Sequence, residues 1–205
     1  MEKNKVDKYG NPIPKHGQGW GIDKDDPEYR NEQGYNADGT KGRWFSRSCA
    51  VCACIVAYSR EYNTYCVLAN KRGKGALDYK GYWNLPCGYL DYNETAKEAA
   101  ARETFEETGI KLDVSYFAEA GYSTDPKENR QNVSFFFKVR LAMAEHYTFS
   151  KDYMEKDEVE EIKWIPLCNI KDYMWAFDHD EVIERLFKRE VQISETDQKF
   201  NFAKI

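Results

Sequence analysis

The sequence predicts a mixed α/β domain in which helices pack on a sheet, and three observations lead there. Apolar stretches of strand length run from Cys49 to Tyr58 and from Thr64 to Asn70, each bounded by turn-forming or charged residues. Val133, Phe135, Phe137, Val139 and Leu141 alternate with Ser134, Lys138 and Arg140, with Phe136 as an exception on the polar side. Between these strands lies a segment with complete helix-start and helix-stop signals, and Val182, Ile183, Leu186 and Phe187 recur later at helical spacing.

Taken in order, residues 1–45 form a polar extension in which Pro12, Pro14 and Pro27 interrupt any regular element. Tyr9, Trp20, Tyr29 and Tyr35 are many aromatics for a solvated tail, so the extension is expected to lie over its own domain or a partner subunit. A disordered leader is the alternative, and a homodimer stays open. The domain proper is expected over 46–190, with another strand at Ile162 to Leu167 and Asp178 or Asp180 as cap of the last helix. Residues 191–205 read as a polar tail.

With 205 residues, 41% hydrophobic and 32% charged, the chain can bury one sizeable core. A formal net charge of -5 argues against broad affinity for nucleic acid or an anionic membrane and favours a small-molecule partner. No apolar run reaches membrane-spanning length, and Met1-Glu2-Lys3-Asn4-Lys5 lacks the apolar segment of a secretory signal, so the expected setting is cytoplasmic. The six Cys are then expected to be reduced. Cys49 and Cys52 resemble half of a zinc site, but no second close pair follows.

The central helix carries the chemistry. Thr95-Ala96-Lys97-Glu98 matches the capping box and Gly109 supplies a left-handed stop, which predicts a helix from Ala96 to about Thr108. At 100° per residue, Glu103, Glu106 and Glu107 share one arc, led by Ala96, Ala99 and Ala100, small enough to let the helix approach the sheet. A solvated face would be held by Glu98–Arg102 and Arg102–Glu106 pairs. One Arg does not neutralise three converging acids, however, and hard oxygen ligands suit Mg²⁺ or Mn²⁺, which in turn suits phosphate chemistry.

Gly88, Glu94, Arg102-Glu103, Glu106-Glu107, Gly109 and Ile110 stand at the spacing of the Nudix box, which the sequence resembles at every fixed position; Thr104 replaces a usual aliphatic residue. The likeness extends to Arg72, to Trp83-Asn84-Leu85-Pro86 and, more loosely, to the strand around Ile162 to Leu167. It implies a Nudix-type α/β/α sandwich with the Nudix helix packed on a mixed sheet. It also implies Mg²⁺-dependent hydrolysis of the pyrophosphate in a nucleoside diphosphate derivative, with Mn²⁺ as an alternative ion.

By that resemblance Glu103, Glu106 and Glu107 hold metal, Arg102 orients a carboxylate, and Gly88 and Glu94 support the site. The base that takes the water's proton is either Glu103 or an acid among Glu155, Asp157, Glu158 and Glu160, with Glu158 placed first. Pro126, sixteen residues beyond Ile110, and Ala176-Phe177-Asp178-His179 resemble the ADP-ribose-hydrolysing branch. Arg72, Lys127 and Arg130 are candidates for phosphate or ribose, and Trp44, Phe45, Trp83 and Tyr122 for stacking on a base. A nucleoside triphosphate or dinucleoside polyphosphate substrate, and a non-catalytic ligand sensor, are the competing readings.

Overall fold

A computed structural model describes residues 48–91, 93–124, 132–150 and 157–202, with backbone alone for 198–202 and also for 32–35 and 41–45. The segment containing Pro126, Lys127 and Arg130, together with Glu155 and the side chains of Trp44 and Phe45, lies outside the described residues, as does nearly all of the extension. Its described parts, β1 (Glu32–Tyr35) and β2 (Lys41–Phe45), pair antiparallel as a separate two-stranded sheet.

Burial along β3 (Cys49–Ser59) sets the architecture, because nearly every residue is buried whichever face its side chain takes. A strand sheltered on both sides reads as a continuous apolar run. Val51, Ala53, Ile55 and Ala57 face one core, with Ala99 and Ala100 of α1 (Ala96–Thr108). Cys52, Cys54 and Val56 face another, with Val182 and Ile183 of α2 (His179–Leu186) and Val191 of α3 (Lys188–Phe202). Helices thus cover both faces of a seven-stranded sheet, the α/β/α sandwich expected.

The strand order is β5 (Trp83–Asn84), β4 (Thr64–Arg72), β3, β8 (Val133–Met143), β7 (Ala118–Ser123). β6 (Cys87–Tyr89) also pairs with β3, and β9 (Val159–Pro166) with β4. Only β3 and β8 run parallel among these pairs, so the sheet is mixed. The second core also explains Phe136: it is buried on the α2 side, where Lys138 is the polar neighbour and gives its ammonium to the Leu186 carbonyl at 2.7 Å.

Three expectations need correction. The segment from 191, read as a polar tail, is helical through Phe202; its inward groups include Ser194, whose hydroxyl accepts from the Cys168 amide, and Val191. Just before it, buried Glu190 pairs with Arg140 at 2.8 Å. Trp83, a candidate for stacking on a base, is 7% exposed and packs edge-on against Tyr173 in the core. Asp178 occupies the N-cap of α2 but makes no side-chain cap bond, because its own backbone is left-handed. All six Cys are free thiols, as expected.

Candidate active site

Helix α1 begins and ends where its signals place it. The Glu98 carboxylate accepts from the Thr95 amide at 2.7 Å, the Thr95 hydroxyl accepts from the Glu98 amide at 3.3 Å, and Gly109 has φ 73°. Glu98 is therefore spent on the cap and does not pair with Arg102. Thr104 is fully buried, its hydroxyl donating back to the Ala100 carbonyl, so the departure from an aliphatic residue is absorbed inside the helix.

Arg102 organises the acidic stripe. It grips Glu94 sideways through Nε at 3.1 Å and Nη2 at 2.7 Å, while Nη2 also donates to the Tyr89 carbonyl at 2.8 Å. Its Nη1 bridges Glu103 and Glu106, at 2.8 Å to each. All five guanidinium donors are thereby used. The Arg102 hydrogen bond holds the Glu94 carboxyl below its ordinary 4.5.

Glu107 behaves differently, turning to the sheet to accept from the Cys87 amide at 2.9 Å. Burial pushes its carboxyl well above 4.5, and the nearby Glu103 charge pushes it further, with Arg72 opposing only in part. Among the described residues no three His, Cys, Asp or Glu side chains converge as a ready-made metal cluster, and no cation forms an ion pair with Glu107. The convergence expected of the three acids is thus replaced by an Arg102 bridge over two of them. The donors nonetheless fit a hard divalent cation: carboxylate oxygens, one of them uncompensated, on the wall of an open cavity. Gly88 makes room for this, since a methyl group there would overlap the Glu103 carboxylate.

The cavity encloses about 800 Å³ and includes Arg72, Glu158 and Tyr122 in its wall with the α1 acids. Arg72 is engaged on the protein itself: Nε donates to the Asp78 carbonyl at 2.9 Å and Nη2 to the Asp78 carboxylate at 2.7 Å, with Phe177 5.0 Å away under its guanidinium. Glu158 is held through its backbone, its carbonyl accepting from Gly73 at 2.6 Å; Asp157 likewise accepts from Gly75. Glu160 is drawn off to Lys71, at 2.8 Å. Tyr122 is 69% exposed at the rim.

His179 is buried, its Nδ1 accepting from the Leu85 amide at 3.0 Å, which leaves the proton on Nε2, 3.6 Å from Cys52 Sγ. It ties α2 to the loop before β6. Phe177 and Asp178 before it have φ of 60° and 56°, two adjacent left-handed residues at the cavity edge. Arg185 and Phe136 also line the cavity and were not among the sequence candidates. Their pairing crosses from α2 to β8 and leaves no local signal.

A cavity walled by this Arg–Glu constellation, on a sheet covered by helices on both sides, defines a class of phosphate-handling domain. The NUDIX domain family profile matches residues 50–186, and the chain belongs to that family. It is similar to phosphatase NudJ of Escherichia coli, 53% identical over 65 residues that make up 32% of this chain and 42% of that protein. It is also similar to the 8-oxo-(d)GTP phosphatase of Mycolicibacterium smegmatis, 30% identical over 109 residues, 53% of this chain and 31% of that protein. The match therefore spans less than half the length of either relative.

Among solved structures, the NUDIX domain of Shewanella oneidensis NrtR complexed with ADP ribose aligns with TM-score 0.59 and 19% identity, covering 76% of this chain and 93% of that one. A bifunctional NMN adenylyltransferase/ADP ribose pyrophosphatase from Francisella tularensis, complexed with AMP and a Mn ion, aligns with TM-score 0.56 and 24% identity over 70% of this chain and 42% of that one. At these identities the likeness is one of fold.

Proposed function

We propose that this domain hydrolyses the pyrophosphate bond of a nucleoside diphosphate derivative, with ADP-ribose as preferred substrate and AMP and ribose 5-phosphate as products. The observation that carries the reading is the cavity itself: the wall bearing Glu103, Glu106 and Glu107 opens into about 800 Å³, which extends well past those acids toward Phe136 and Arg185. Such a space suits a diphosphate carrying bulky groups. The ligands of the two structural neighbours, ADP ribose in one and AMP with Mn in the other, support the same class.

Glu103, Glu106 and Glu107 would hold Mg²⁺, or Mn²⁺, which when bound supplies charge neutralisation at the pyrophosphate oxygens and makes water more acidic. The chain's own groups do the rest. Arg102 keeps Glu94, Glu103 and Glu106 in register with the Tyr89 carbonyl, and the Glu107 carboxylate is fixed by the Cys87 amide. Glu158, which lines the same cavity, would accept the attacking water's proton. Arg72 is braced by Asp78 and Phe177 in the cavity wall, where its remaining donors would meet phosphate or ribose.

The curated relatives favour a second reading, a nucleoside triphosphate as substrate, since one of them is an 8-oxo-(d)GTP phosphatase. Product identification with ADP-ribose, dinucleoside polyphosphates and nucleoside triphosphates, with and without Mg²⁺, separates them. AMP plus ribose 5-phosphate, formed only with the metal, is the expected result. Release of inorganic pyrophosphate from a triphosphate with ADP-ribose untouched replaces the first reading by the second.

A further inference from the structure

Two rows of side chains cross the sheet from the acidic wall outward. Tyr89, Ala50, Ser134 and Ser123 are successive cross-strand partners on β6, β3, β8 and β7. Cys87, Cys52 and Phe136 form the row beside them. All face the cavity: β6 meets the acids directly, the Cys87 amide donating to Glu107, while β8 and β7 lie two and three strands away from it in the sheet. The far end has a different chemistry from the near one. Its floor is the Phe136 ring and its edge carries the neutral polar groups of Ser134, Asn132 and Ser123.

Over that floor lies Arg185 of α2, its guanidinium carbon 4.8 Å from the Phe136 ring centre. Arg72 and Arg102, the other arginines of the cavity, are committed to carboxylates. Arg185 makes no ion pair or hydrogen bond among the described residues and is an exposed residue, so its donors are unspent. A cation held face-on to a ring at the end of a phosphate cavity has two uses, to attract a second anion or to stack on a flat ring. Glu181, one helical turn earlier on the same face of α2, also lines this end and repels an anion. An aromatic base meets no such opposition, and guanidinium planes stack well on heteroaromatic rings.

We propose that Arg185 and Phe136 form the nucleobase subsite, in which the base lies against the Arg185 guanidinium, its edge faces Ser134, Asn132 and Ser123, and the nucleoside's phosphates run back toward α1. The subsite rests on the reading of the substrate as a nucleotide derivative, and it assigns the adenine end of ADP-ribose, rather than its terminal ribose, to the β8–β7 side. A sugar has no aromatic face to offer the guanidinium.

The test is direct binding, which does not depend on turnover. AMP and ribose 5-phosphate are titrated into the full chain, wild type and the variants Arg185→Ala and Arg185→Lys, by calorimetry. Loss of one base-stacking platform weakens AMP about tenfold in both variants, because lysine keeps the charge and not the plane, while ribose 5-phosphate is unaffected. Equal weakening of both probes by alanine with rescue by lysine overturns the proposal in favour of a phosphate-binding cation. Unchanged AMP affinity, or no AMP binding to the wild type, overturns it outright. Failure of the wild type to hydrolyse ADP-ribose or any triphosphate is read in a separate assay and counts against the hydrolase reading instead.

Discussion

Gly88 of β6 and Glu103 of α1 occupy a shared space: a methyl group at Gly88 would overlap the Glu103 carboxylate, and no backbone atom stands nearest to it. What must yield is the far end of a flexible side chain, so the cost in stability is small and the cost in geometry is large. Gly88→Ala is therefore expected to retain a melting temperature close to wild type while metal-dependent turnover falls about 100-fold, the scale of losing one electrostatic contact at a reacting phosphate. Turnover within a few-fold of wild type would show that Glu103 acts from another position.

Glu107 gives the complementary case. Burial and the Glu103 charge hold its folded-state pKa above the ordinary 4.5, so as pH rises past 4.5 the unfolded chain ionises first and stability falls, until the pH passes the folded value and the penalty is complete. Glu107→Gln removes the charge and keeps an oxygen for the Cys87 amide. In metal-free buffer at neutral pH the variant is expected to melt at or above the wild-type temperature, while turnover in Mg²⁺ falls about 100-fold or more and the thermal shift caused by Mg²⁺ shrinks. A variant that melts lower and responds to Mg²⁺ like the wild type would take Glu107 out of the metal set.

How much of this was legible in the sequence follows from how local each signal is. Thr95, Glu98 and Gly109 fix the ends of α1 through neighbours three or four residues away, and the box residues lie on that one helix, the strand before it and the short segments that flank the helix. β3 and β4 announce themselves as apolar runs. β7 does not: Ala118–Ser123 is largely exposed, holds Gly121 at φ 105°, and owes its strand state to pairing with β8. α3 was hidden because part of its buried face is Glu190 and Ser194, polar groups whose partners Arg140 and Cys168 lie far off in the chain. The Arg185–Phe136 pair and the full use of Arg102 are likewise products of tertiary packing.

The loop after β4 is a latch on the segment that carries Glu158. Gly73 and Gly75 donate their amides to the Glu158 and Asp157 carbonyls, each at 2.6 Å, and a methyl group on Gly75 would stand 2.7 Å from Asp157 Cβ and 2.8 Å from its carbonyl carbon. Unlike Glu103 beside Gly88, these are backbone and near-backbone atoms that cannot swing aside. Gly75→Ala should therefore displace the Glu158 segment, and with Glu158 as the proposed base a shift of about 1 Å costs on the order of 100-fold. The expected signature is a loss in kcat with KM little changed and a displaced pH profile. Identical loss in Glu158→Gln and in the double variant would place both changes on one group, whereas additive losses would separate the latch from Glu158.

Acid stability should depend on Glu145, which lies remote from the cavity. Its carboxylate accepts from the Ser59 hydroxyl at 2.8 Å and from the Arg60 and Glu61 amides at 2.8 and 3.3 Å, closing the turn between β3 and β4. The Ser59 bond foremost lowers its pKa from 4.5 to about 2. A depressed carboxyl pKa contributes stability that is complete above the unfolded value and is lost as pH falls through the folded one, so this contribution disappears between about pH 4.5 and about pH 2. Glu145→Gln lacks the titration and should be less stable than wild type at pH 7, with the two converging toward pH 2. Denaturant midpoints measured across that interval check it: a constant gap between the two proteins down to pH 2 would mean that Glu145 is not the group being titrated.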